Sequence, residues 1–165
     1  MLLGDLREGD PVFIDANIFI YHFGGRSAEC KLLLQRCARR QLRGHTATFM
    51  LIETLHRLMV IEALQKGLVT AKTAVRKLRE RPDLVRQLTT YAEDVSRIAQ
   101  MGLTVHNLTA DTIDASVDVR RRLGLLTNDS LVVTLMAERG LTNIATTDQD
   151  FVRVPGLKVY SPSDL

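Results

Sequence analysis

The stretch Pro11-Val12-Phe13-Ile14-Asp15-Ala16-Asn17 decides the fold. Its first four residues are apolar without alternation, the pattern of a short strand covered on both faces, as in a parallel sheet. Polarity returns abruptly at Asp15. In open α/β sheets the carboxyl ends of strands form the crevice in which ligands bind. Asp15 therefore stands where chemistry is done, although Asp is also common where a strand simply turns.

Working outward, Ser27 offers an N-cap for a helix over about Ala28 to Gln41. Arg39, Arg40 and Arg43 gather at its C-terminal end, where cations complement the helix dipole. A second helix runs from about Thr48 to Lys66 and stops at Gly67. It is apolar around most of its circumference and is expected to be mostly buried. A basic helix from near Thr70 to Arg81-Pro82 follows, then another from Asp83 to Met101, closed by Gly102. Leu103 to Leu108 reads as a strand, and Thr109 caps a helix from Ala110 to Leu123. Thr127 or Asn128 caps one more helix, ending at Arg139-Gly140. Asn143 to Thr147 and Leu157 to Tyr160 read as the last strands. Strands separated by helices predict one three-layer α/β/α domain over residues 1–165 with a mainly parallel central sheet. Within it, a helical section occupies about residues 70–101.

The 165 residues suit a single domain, and 45% hydrophobic with 25% charged residues is the balance of a soluble protein. No apolar run approaches the roughly 18–20 residues of a membrane span. The opening MLLGDLREGD has acids where a secretory signal would be basic, so an intracellular, cytoplasmic location is expected. Cys30 and Cys37 fall on one face of the first long helix, about 10 Å apart along its axis, too far for a disulfide. They are expected to be buried free thiols. The four histidines show no ligand-like spacing, which argues against a zinc site. The net charge of +3 favours a polyanionic partner, if mildly.

Further acids deserve comparison with Asp15. Asp148 follows the strand at 143–147 as Asp15 follows the first, so the two can face one crevice. Glu53 sits in the middle of an apolar helix, where a carboxylate needs a partner or a cation. Arg57, one turn on, or a solvated stripe with His56 would equally satisfy it. Asp129 opens a helix, a place where the dipole and free amides favour any acid. Clustered, four carboxylates would repel one another and require a cation. Mg²⁺ and Mn²⁺ prefer such oxygens and serve phosphate chemistry. Spacing alone does not show that the four cluster.

The segment Phe13-Ile14-Asp15-Ala16-Asn17-Ile18 with Tyr21 resembles the opening motif of PIN domains. Ile52-Glu53, then Gly124-Leu125 with Asn128-Asp129-Ser130, then Thr146-Thr147-Asp148-Gln149-Asp150-Phe151 match that family's later motifs in order. The resemblance implies a PIN-like fold and a metal-dependent ribonuclease, typically a homodimer, in a family that includes the VapC-type toxins of toxin–antitoxin pairs. It implies Asp15, Glu53, Asp129 and Asp148 as metal-binding catalytic acids with Mg²⁺ or Mn²⁺, and Asp150 as an auxiliary acid. Asn17 and Thr146 would orient acids or phosphate. RNA would be the substrate and an antitoxin protein the partner, with no membrane association.

Asp111, Asp114 and Asp118 share one helix face and read as solvated, while Arg120, Arg121 and Arg122 are expected to continue into solvent, available to RNA phosphates with Arg39, Arg40 and Arg43. Two other functions compete. A phosphatase working through an aspartyl-phosphate also places an acid after the first strand. The dehalogenase-like version has a second acid two residues on, where this chain has Asn17. A PIN-like module that binds RNA or protein without cutting is the other.

Overall fold

The computed structural model describes all 165 residues. In chain order the elements are β1 (Pro11–Ile14), α1 (Ala16–Phe23), α2 (Ala28–Ala38), β2 (Arg43–Ala47), α3 (Thr48–Gln65), α4 (Ala74–Glu80), α5 (Pro82–Val85), α6 (Thr90–Ile98), β3 (Thr104–His106), α7 (Ala110–Leu123), α8 (Thr127–Glu138), β4 (Asn143–Ala145) and β5 (Lys158–Tyr160). The five strands form one sheet in the order β3-β2-β1-β4-β5, with every pairing parallel. Parallel neighbours require crossovers, which the helices supply.

The strand of the opening motif is central and covered on both sides. Val12 and Ile14 enter a core with Ile18, Phe19, Leu33, Leu34 and Ile98. Phe13, between them, enters the opposite core with Met50, Val132, Leu135, Met136 and Ile144. Alternate side chains of one strand thus anchor α1 and α2 on one face and α7 and α8 on the other. A separate small core of Ala63, Val69, Ala74, Leu78, Leu84 and Leu88 holds α4 and α5 on the far half of α3.

Several sequence expectations change. Ala16–Phe23, for which the sequence predicts no element, is a helix capped by the Asp15 side chain, which accepts from Ala16 N. Arg43–Ala47 is a strand where the sequence predicts no element; α2 ends at Ala38 rather than Gln41, and Arg40 adopts φ 59° in the turn between. The helix expected over Asp83–Met101 is broken in two. The basic helix begins at Ala74 rather than Thr70. Leu126, without a side-chain bond, occupies the N-cap of α8 where Thr127 or Asn128 was expected. The long α3 is less enclosed than its composition suggests: its buried side includes Met50, Thr54 and Leu58, while Ile52 is 66% exposed. Cys30 and Cys37 are buried free thiols.

Candidate active site

The sheet order reverses between β1 and β4, so the loops after these neighbours leave in different directions and open a crevice at their carboxyl ends. Asp15 stands at that point. Its amide donates to Ala145 O (3.1 Å), and its Oδ1 accepts from Ala16 N (2.7 Å), starting α1. Its Oδ2 accepts from Thr146 Oγ1 (2.5 Å) and from Asn17 Nδ2 (2.6 Å). Thr146 is wholly buried, and its hydroxyl oxygen also accepts from Asn17 Nδ2 (3.0 Å) and from Asp148 N (3.0 Å). One network therefore joins the first acid to the loop that carries the last.

The other acids reach the crevice from different elements. Asp148 caps the short 3₁₀ turn Gln149–Arg153, its Oδ1 accepting from Asp150 N (2.8 Å). Glu53 projects from mid-α3 and accepts from Asn128 Nδ2 (3.3 Å). It has no ion pair with Arg57, and none of the chain's four ion pairs involves Glu53. Asp129 occupies the first turn of α8. Asp15, Asn17, Glu53, Asp129, Asp148 and Asp150 line one open crevice of about 500 Å³. Met50, Leu126, Val132 and Phe151 supply its apolar walls.

The electrostatics are those of acids short of cations. Burial, opposed by the bonds from Thr146 and Ala16 and reinforced by the charges of Glu53 and Asp148, pushes Asp15 up to about 6. Asp129 is raised by burial and then by Asp148, Asp150 and Glu53, with Arg153 acting weakly against them. Arg153 is itself held by Asp150 (3.4 Å) and by Gly124 O (3.2 Å). Unneutralised carboxylates facing one space favour a bound cation. No three of them converge to enclose an ion outright. A rim of carboxylates around open space suits a hydrated hard ion, because Mg²⁺ keeps several waters and takes only one or two carboxylates directly. The donor set therefore fits.

Other residues take different places. Asp111, Asp114 and Asp118 are exposed on α7, outside the crevice. Arg120 turns inward instead of into solvent, donating to Ser130 Oγ (3.2 Å) and Ser116 Oγ (2.9 Å) and so pinning α7 to α8. Arg43 begins β2, and Arg39 and Arg40 precede it, so this basic group lies at the opposite end of the sheet from the crevice. Asn128 was not singled out from the sequence as a site residue. The sequence marked it only as a candidate helix cap and as the residue before Asp129 in the matched motif.

The family model of the PIN domain matches residues 12–157. The chain belongs to the PIN domain family. A curated relative, Ribonuclease VapC2 of Methanocaldococcus jannaschii, is 23% identical over 154 residues, covering 92% of this chain and 94% of that protein. Two solved structures share the fold. One is VapBC2 from Rickettsia felis bound to a DNA fragment from their promoter, with TM-score 0.59, 15% identity, and 92% of this chain against 98% of that one. The other is Mycobacterium tuberculosis VapC20, a Sarcin-Ricin loop cleaving toxin, with TM-score 0.61, 17% identity, and 90% against 98%. In this PIN domain the aligned span runs from the second residue of β1 to the residue before β5, and so contains every acid of the crevice.

Proposed function

We propose that this PIN domain is a divalent-metal ribonuclease that hydrolyses RNA phosphodiesters, acting as the toxin of a toxin–antitoxin pair. The observation that carries the reading is the meeting of Asp15, Glu53, Asp129 and Asp148 in one crevice whose lining holds no basic side chain. These four would hold Mg²⁺ or Mn²⁺. When bound, such an ion supplies polarisation of the phosphoryl group and a lowered pKa for an attacking water.

The chain's own residues divide the remaining work. Thr146 and Asn17 fix the Asp15 carboxylate, so its geometry does not depend on the substrate. Asn128 steadies Glu53 across the crevice. Leu126, 74% exposed at the rim, offers an apolar surface to a ribose or base. Asp150 is an auxiliary acid whose charge Arg153 tempers. The crevice contains no histidine or lysine to act as a separate base.

The name of the archaeal relative supports ribonuclease action, and a VapBC assembly among the fold relatives supports an antitoxin partner. Homodimerisation and a cytoplasmic setting belong to the same reading; no helix is long and apolar enough to cross a membrane. An aspartyl-phosphate route fits less well, since the residue two past Asp15 is an amide already bonded to Asp15. The test is cleavage of a mixed RNA panel in Mg²⁺, Mn²⁺ or EDTA, by the native chain and Asp15→Asn. Cutting that needs metal and vanishes in the variant is expected. A folded, partner-free protein that cuts nothing would instead be a binding module.

A further inference from the structure

The crevice poses a difficulty for the polyanion it is proposed to cut. Asp15, Glu53, Asp129, Asp148 and Asp150 all face it, and the nearby Arg153 is held by Asp150. Even with metal bound, attraction for phosphates away from the scissile bond must come from cations outside the crevice.

The sequence concentrates them in one place. Residues 70–86 contain six Lys and Arg against two acids, a net +4 that exceeds the +3 of the whole chain. Arg81 is paired with Asp83, but Arg76, Lys77 and Arg79 are exposed and form no ion pair. Arg57, exposed on α3, is likewise free of one. The fold sets α4 against this part of α3: His56 and Val60 of α3 line a shared groove with Val75, Leu78 and Arg79 of α4, and Arg57 and Arg76 each directly follow a lining residue in the chain. Glu53, His56 and Val60 stand at i, i+3 and i+7, hence on one stripe of α3. Crevice and groove are therefore the two ends of a single stripe about 10 Å long, roughly three nucleotide steps at the 3.4 Å rise of one strand.

We infer that the basic ridge of Arg57, Arg76 and Arg79 is a second RNA-binding surface, holding backbone phosphates a few nucleotides from the bond cut at the acid crevice. This rests on the ribonuclease reading above. An acidic protein could also meet such a ridge. The alignment of the ridge with the crevice along α3 favours the strand that must enter both. Arg39 and Arg40, equally basic but at the other end of the sheet, provide the internal control.

The experiment measures binding of a fluorescein-labelled, mixed-sequence RNA of about 20 nucleotides by anisotropy in EDTA across a salt series. It compares the native chain, the triple variant Arg57→Gln/Arg76→Gln/Arg79→Gln, and the control Arg39→Gln/Arg40→Gln. The triple variant is expected to bind at least about tenfold more weakly at low salt, with a log–log salt slope shallower by about 2. The control keeps both. In cleavage, the triple variant should raise KM on the long RNA without changing kcat, and should leave cutting of a tetranucleotide unaltered. Unchanged affinity and slope in a folded triple variant overturn the inference and assign the ridge to a protein partner. RNA bound through the ridge but never cut in Mg²⁺ or Mn²⁺ would sink the ribonuclease reading alone; no RNA binding by the native chain in EDTA would sink the inference alone.

Discussion

Thr146, at the end of β4, donates its hydroxyl to Asp15 Oδ2 at 2.5 Å, so the last motif of the chain holds the first acid in place. The same oxygen accepts from Asp148 N, which ties the orientation of Asp15 to the loop bearing a second acid. Thr146→Val keeps the volume and removes both interactions. Loss of such an orienting partner is expected to weaken Mn²⁺ binding by about 10–100-fold, and RNA cleavage with it. Thr146→Ser should restore most of the loss. Calorimetric titration of Mn²⁺ into the two variants checks this, and native affinity in Thr146→Val would remove the hydroxyl from the account.

Asp15→Asn separates function from stability. Burial and the neighbouring acids raise the folded carboxyl to about 6, against an ordinary value of 3.8. A raised folded pKa contributes stability below the unfolded value and loses it as pH rises through the folded one. In EDTA, the native chain should therefore lose stability between about pH 4 and 6, while Asp15→Asn should show less of that loss. At pH 7 the variant is expected to melt at or above the native temperature, yet to cut no RNA. Thermal melts across that pH range provide the comparison, and a variant much less stable than native at pH 7 would contradict it.

Glu62 is a carboxylate with a structural task. Burial alone would raise it, but the bonds from Lys66 and from the amides of Tyr91, Thr89 and Thr90 bring it down to about 2. It caps the start of α6 from α3, with Lys66 Nζ at 2.6 Å. A depressed folded pKa gives stability that is complete above the unfolded value, 4.5, and is lost as pH falls toward about 2. The stabilisation is of order 1–3 kcal/mol, since Lys66 is partly solvated. Glu62→Gln should cost most of it at pH 7 and little at pH 2. Denaturant unfolding at the two values decides, and a cost independent of pH would refute the ionic part.

The crevice was legible because strand ends and helix starts carry local signals: an apolar run stopping at Asp15, a mid-helix Glu53, a Thr-Thr-Asp after a strand. Their convergence was not, since it depends on β1 and β4 being neighbours, and no spacing along the chain states that. The PIN-domain motifs supplied the missing step. The helix Ala16–Phe23 has no counterpart in the sequence reading, because Asn, Ile, Phe, Tyr and His are weak helix formers. Arg120 misled in the other direction. Its place in a run of three arginines suggests solvent, but the Ser116 and Ser130 hydroxyls draw it between two helices.

The strand most hidden in the sequence, Arg43-Gly44-His45-Thr46-Ala47, also yields the sharpest packing test. Its composition argues against a strand, with one glycine and hardly an apolar residue. The glycine is required by what lies over it. A Cβ at Gly44 would collide with the Leu103 side chain and come within 2.9 Å of Cys37 Sγ, because α2 and the segment before β3 both press on this point. Leu103 can turn aside only in part, being packed against the core. Gly44→Ala is therefore expected to destabilise by about 1–3 kcal/mol, as overpacking does. At about 2–4 °C per kcal/mol for a domain of this size, the melting temperature should fall by several degrees. Pairing it with Cys37→Ala opens the space and should recover part of the loss beyond additivity. A double variant that is simply the sum of the two singles would mean that Cys37 is not what excludes a side chain at Gly44.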